Sequence, residues 1–170
     1  AAAQTWPQRN VRFVLPLGPG AGADIGARLI ADRLTKVWGQ AVVVENRPGG
    51  DGVVAITTVL NANDDHVFLW GPSGAFVAHP YLHAKMPYDA AQILPIARVT
   101  NTLVSVSVPT GSDIKTLQGF VDEARKHPGK LNWAAVTGLN DFQFQAFAKV
   151  AGIDIVRVPY RDGVQALNDL

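Results

Sequence analysis

At 170 residues the chain has room for one ordinary domain, or for a large piece of a two-domain protein. Its 15 Lys and Arg nearly cancel 14 Asp and Glu, which excludes the clustered basic footprint of a nucleic-acid binder. Hydrophobic residues at 48% can build a core, and the absence of cysteine excludes disulfide frameworks, thiolate metal sites and Cys nucleophiles.

The start, Ala1-Ala2-Ala3-Gln4, has no Met and reads as a processed or engineered N-terminus. Small residues of this kind suit a signal-peptide cleavage site, which points to export. No apolar run approaches the roughly 20 residues that cross a bilayer, so direct membrane insertion is not expected.

The first predicted strand is Val11 to Leu15, closed by Pro16. The loop Leu17 to Asp24 carries Gly18, Gly20 and Gly22, then leads into a helix over about 24–37. Two readings stand here. A helix start with unpaired N–H groups is a ready anion site, and Gly18, Gly20 and Gly22 would let a ligand approach the backbone closely. The plain alternative is a strand-to-helix turn in which Asp24 serves as the N-cap. Ile25, Leu29, Ile30, Leu34, Val37 and Trp38 form the helix's apolar stripe, with Arg28, Asp32 and Lys36 on its wet face.

A second strand follows at 41–45, and its run of valines suits burial on both faces. The turn cluster 46–52 leads to a helix over about 53–61 and a third strand at 67–70. Strand, helix, strand, helix, strand is the grammar of a parallel α/β sheet. The third strand ends in Gly71-Pro72-Ser73-Gly74, and ligands of such sheets bind at the carboxyl ends of strands. Ser73 and Gly74 are therefore candidates too.

Residues 75–95 read as irregular, with Pro80, Pro87 and Pro95. Residues 96–108 read as strand-like, with a polar break at 100–102 where the chain could cross into a second lobe. Thr116 is a candidate cap for a helix over 117–127, and a strand at 131–136 follows. The next loop, 137–141, precedes a helix over 142–150. It is a fourth loop at the end of a strand. A strand at 155–158 runs into a fifth loop, 159–163. A helix starts at Val164. Ending there, the chain reads as truncated: either a fragment, or an interaction module completed by another chain.

His79 and His83 are four apart, but Pro80 lies between them and no carboxylate joins them, so no metal site is expected. No nucleophile elbow and no P-loop occur. An enzyme alternative remains in a Rossmann-type dinucleotide fold. Gly18, Gly20 and Ala23 match the fingerprint G-x-G-x-x-G/A, and Glu45 ends strand two where an acidic residue would hold a ribose. Pro19 removes an N–H from that loop, and Asp24 sets a negative charge where phosphate would sit.

Several stretches together resemble the periplasmic solute receptors of tripartite tricarboxylate transporters, the Bug family. These are Trp6-Pro7, Val11 to Pro16, GPGAGAD at 18–24, VVVENRPGG at 42–50, Pro128 to Asn132 and Val158 to Tyr160. The resemblance implies a type II periplasmic-binding-protein fold of two α/β lobes, the first over residues 1–100 and an incomplete second over 101–170. It implies a non-enzymatic receptor with no cofactor, whose ligand, a small mono- or dicarboxylate, sits in a cleft and passes to membrane transporter subunits. By matching position, the resemblance implies ligand contacts at Leu17, Gly20, Gly22, Ala23 and Asp24 in the first-lobe loop Leu17 to Asp24, joined by Ser73 and Gly74. In the second-lobe loop, Val136 to Asp141, it implies contacts at Val136, Thr137, Gly138 and Asn140, with Tyr160 and Asp162 in the loop Tyr160 to Asp162 beside it. The family pattern is altered at Ala23, where a Thr hydroxyl is lost, and at Phe142, which stands in a His place. The additional Asp141 would repel an anion unless it points away.

Overall fold

The computed structural model describes residues 6–101, 103–136, 139–160 and 163–170, with backbone alone at 75, 76 and 136. Two compact units divide the chain, Ala1–Asn101 and Thr102–Leu170.

In the first unit, β1 (Val11–Leu15) is the central strand of a parallel sheet, between β2 (Val42–Asn46) and β3 (Val67–Leu69). Side chains alternate across the pleat. Val11, Phe13 and Leu15 face helix α1 (Gly22–Trp38), where Ala27 and Ala31 allow close approach and Ile30, Leu34 and Trp38 fill the flanks. Val14 faces the other way, onto Ala55 and Val59 of helix α2 (Val53–Ala62). Trp6 closes one end, edge-on to Trp38 at 5.0 Å, and Trp70 stacks on Phe13 at 5.2 Å.

Three expectations are corrected in this unit. The buried stripe of α1 is Asp24, Ala27 and Ala31, while Ile25, Leu29 and Val37 stand exposed. Small residues can approach a sheet more closely than branched ones, so the alanines take the contact face. The valine run of β2 is only half-buried, because β2 is an edge strand with its outer face uncovered. Residues 74–82 form a regular helix, α3 (Gly74–Leu82), despite Pro80. The proline falls in the last turn, where the His83 N–H still bonds the His79 carbonyl at 3.0 Å.

His79 is wholly buried there. A carbonyl can only accept, so His79 Nε2–H donates to the Asp51 carbonyl at 2.8 Å. Its Nδ1 therefore accepts from the Tyr88 hydroxyl at 2.7 Å, and burial raises the Tyr88 pKa. This anchors Asp51, a non-glycine residue at φ 55° in the turn before α2.

Residues 96–108 carry no strand among the described positions. An extended segment becomes a strand through ladder hydrogen bonds with a neighbour, and none pairs with it among the described residues. Leu103, Val104 and Val106 point into solvent.

In the second unit, β4 (Asn132–Val136) and β5 (Val156–Tyr160) pair in parallel, with Val136 opposite Tyr160. Helix α4 (Leu117–Lys126) starts as expected: Thr116 Oγ1 accepts the Gly119 N–H at 3.0 Å. Helix α5 (Leu139–Ala151) begins three residues earlier than expected. Phe144 is an aromatic hub, 4.4 Å from Trp133, 5.6 Å from Phe147 and 6.2 Å from Phe120. Helix α6 (Gly163–Asn168) follows β5.

Candidate functional site

The three strands of the first unit run in one direction, so the loops after β1, β2 and β3 leave from the same edge of the sheet. They are tied to each other there. The Arg47 N–H bonds the Leu15 carbonyl at 2.7 Å, and the Trp70 N–H bonds the Val14 carbonyl at 2.9 Å. At Gly71 a Cβ would come within 3.1 Å of the Pro16 ring, so the β3 loop lies close against the β1 loop there.

The loop after β1 turns at Gly20, whose φ of 86° favours glycine, and enters α1 with Ala21 as the N-cap. Asp24 is therefore not the cap. It is the third helical residue, buried, and its carboxylate collects internal donors. The Gly20 N–H donates to Oδ2 at 2.9 Å and Asn46 Nδ2 to Oδ1 at 2.9 Å. Arg28 Nε donates to Oδ2 at 3.0 Å, and its terminal nitrogen lies 3.0 Å from Oδ1 as an ion-pair contact. Arg28 hydrogen bonding, ahead of the Gly20 and Asn46 bonds, holds the Asp24 pKa down at about 2 against the opposing effect of burial.

Asn46 joins this network to the sheet. Its Nδ2 also donates to the Leu17 carbonyl at 2.8 Å, and its Oδ1 accepts from Arg28 at 3.0 Å. The candidate residues thus separate into two sets. Leu17, Gly20 and Asp24 spend their polar groups on holding the loop. Among the described residues, the Gly22 and Ala23 N–H groups have no acceptor, and a Cβ on Gly22 would meet nothing within 4 Å. That is an open helix start with free donors. Ser73, just before α3, is exposed, and its hydroxyl does not cap the helix; Gly74 beside it is buried.

In the second unit, Val136 closes β4, and Asn140 is the exposed second residue of α5. Thr137, Gly138 and Asp162 lie outside the described residues. Asp141 is the third residue of α5 and is buried. Arg157 of β5 meets it in a two-point pair, Nε to Oδ1 at 2.7 Å and a terminal nitrogen to Oδ2 at 2.8 Å. Gln145 Nε2 adds a third donor at 3.0 Å. Asp141 is thus turned to Arg157 and its charge is matched. Tyr160 ends β5 and donates its hydroxyl to Asp169 at 2.8 Å; that bond raises the tyrosine's pKa. Phe142 is 45% exposed and packs outside the aromatic cluster.

Arg28, Asn46 and Arg157 were not among the sequence candidates. A spacing of four from Asp24 marks Arg28, which the helix pattern set on the wet face with Asp32 and Lys36. Asn46 sits inside VVVENRPGG, and nothing in the sequence links Arg157 to Asp141 across 16 positions. Glu45, the ribose candidate of the dinucleotide reading, is occupied: Arg12 donates to it at 3.1 Å and Arg47 at 2.6 Å, and both lower its pKa. Asp64, Asp65 and His66 bring ligand atoms within 4.8 Å of one another, yet Arg9 holds Asp64 by both oxygens at 2.8 and 2.9 Å. No described helix is long and apolar enough to cross a membrane.

Comparison with known proteins places this geometry. Residues 26–170 match the tripartite tricarboxylate transporter family receptor. A UPF0065 protein of Bordetella bronchiseptica is 33% identical over 172 residues, covering 100% of this chain and 51% of that protein. The chain spans about half the length of the curated relatives it matches. A solved periplasmic transporter superposes with a TM-score of 0.89 at 29% identity, over 97% of this chain and 57% of that one. MatC from Rhodopseudomonas palustris, solved with bound malate, superposes at 0.86 with 28% identity, over 97% and 57%. The fold is that of the periplasmic binding proteins, and the chain belongs to the tripartite tricarboxylate transporter family of receptors.

Proposed function

We propose that the chain serves as an extracytoplasmic, non-enzymatic solute receptor that binds a small organic carboxylate and delivers it to a membrane transporter. The observation that carries this is the start of α1. Among the described residues the Gly22 and Ala23 N–H groups have no acceptor, the space beside Gly22 is open, and the charge of Asp24 is matched by Arg28. Such a start favours an anion through its free donors and the helix dipole, and asks for no base, metal or cofactor. The malate seen in MatC is a ligand of this chemistry. Export to the periplasm accords with the periplasmic neighbour.

In this reading Gly22, Ala23, Ser73 and Gly74 contact ligand in a first lobe over residues 1–100. Val136, Thr137, Gly138, Asn140, Tyr160 and Asp162 contact it in a second lobe over 101–170, while Leu17, Gly20 and Asp24 shape the first loop.

Calorimetric titration of the full-length protein with malate and a series of mono- and dicarboxylates tests the proposal. Saturable binding of at least one is expected. Gly22→Ala is expected to weaken it about tenfold, because the methyl group fills the approach to the free N–H groups. Stability is expected to hold, since alanine is the better helix former. A folded protein that binds no carboxylate would refute the proposal.

A further inference from the structure

The two units repeat one polar arrangement. In each, the third residue of the helix that follows the first strand is a buried aspartate: Asp24 in α1, 2% exposed, and Asp141 in α5, 8% exposed. A carboxylate in the first turn complements the helix dipole. It also puts a negative charge beside the place where an incoming anion would sit, and like charges in a poorly hydrated spot repel strongly. Both aspartates are met at two points by an arginine: Arg157 through two hydrogen bonds at 2.7 and 2.8 Å, and Arg28 through one hydrogen bond and one ion-pair contact, both at 3.0 Å. The arginines come from different places. Arg28 is one turn along the same helix, and Arg157 is on β5. A shared local helix motif therefore does not explain the repetition. In each unit an amide side chain takes a further position on the carboxylate, Asn46 on Asp24 and Gln145 on Asp141.

We propose that Arg28 and Arg157 are positioning residues of the two ligand loops: each cancels the aspartate in the first turn of its helix and so keeps the helix start open to a carboxylate. The inference rests on the carboxylate reading above. It also gives the extra aspartate of the second loop a role compatible with anion binding. The arginine is the residue that separates a neutral loop from a repelling one, and removing it alone leaves a buried, unpaired charge.

In the intact protein, Arg157→Gln is expected to weaken malate binding, measured by calorimetry, about tenfold or more. Adding Asp141→Asn to that chain is expected to restore affinity to within about threefold of wild type, because the charge that needed cancelling is gone. Recovery separates charge cancellation from packing, which a second deletion would not repair. Unchanged affinity in Arg157→Gln overturns the proposal. So does a lack of recovery in a double variant that keeps the wild-type circular dichroism. If that double variant does not fold, Arg28→Gln with and without Asp24→Asn decides by the same criterion.

A wild-type protein that binds no carboxylate would remove the reading the proposal rests on. Positioning is then decided by amide exchange. The Gly20 N–H is expected to exchange about tenfold faster in Arg28→Gln than in wild type, with the β1 amides unchanged. Equal exchange at Gly20 overturns the proposal.

Discussion

At the scale of single residues, Asp24 has the most consequential environment in the first unit. It is ionised, buried and held by Arg28, Asn46 and the Gly20 N–H, which depress its pKa to about 2 from an ordinary value near 3.8. A depressed carboxylate contributes stability that is fully present above its unfolded pKa and is lost as pH falls through its folded pKa. Thermal melts are therefore expected to drop between about pH 4 and pH 2. Asp24→Asn should melt lower than wild type at neutral pH and show a shallower decline over the same interval. Asp64, also depressed by its Arg9 hydrogen bonds, and Glu45, by Arg12, leave part of that slope in the variant. An undiminished slope in Asp24→Asn would contradict this assignment of the acid sensitivity.

At the scale of elements, helix starts carry both structure and function, and they do so by different means. Helix α4 has a side-chain cap, Thr116 to the Gly119 N–H. Helix α1 has none: its N-cap is Ala21, and the carboxylate that could cap it instead reaches back to Gly20 from the third position. A cap satisfies donors that an anion could otherwise use. The cap on α4 marks it as a structural helix start, while α1, uncapped like α2 and α3, is the one proposed to meet ligand. Thr116→Ala is expected to cost about 1 kcal/mol in chemical denaturation of the protein and to leave malate affinity unchanged. Strand assignments were legible from apolar runs at β1, β2 and β3, because those runs lie in a sheet with neighbours. The apolar run at 96–108 carries the same signal without a neighbour. A strand is a relation between two segments, and one segment's composition cannot state it.

At the scale of the whole molecule, two units each place a parallel pair of strands under a helix that starts at the strand's carboxyl end. Between α3 and α4 lies a long stretch without α-helix or strand among the described residues, and Leu94, Ile96, Leu103, Val104 and Val106 in it are exposed. Proteases need extended, accessible backbone, so limited trypsin digestion is expected to cut first after Arg98 and Lys115, both exposed. Mass spectrometry of early fragments checks this; first cuts inside β1 or α1, after Arg12 or Arg28, would contradict it.

The order of β1, α1, β2, α2 and β3, the later α4, β4, α5 and β5, the glycine-rich loops and the family were readable from the chain itself, while α3 and the unpaired segment 96–108 were not. Local propensity, period and punctuation are written in consecutive residues, and VVVENRPGG is one such run. What the loops do with their charges was not readable. Asp24 looked like a cap, Arg28 like a partner of Asp32, and Asp141 like an obstacle to an anion. Their actual partners depend on which side chains the packed sheet brings within about 3 Å, across separations as long as that between Asp141 and Arg157. Ion pairing acts through space, while sequence pattern acts along the chain, so only the tertiary structure could assign Arg157 to Asp141 and Asn46 to Asp24.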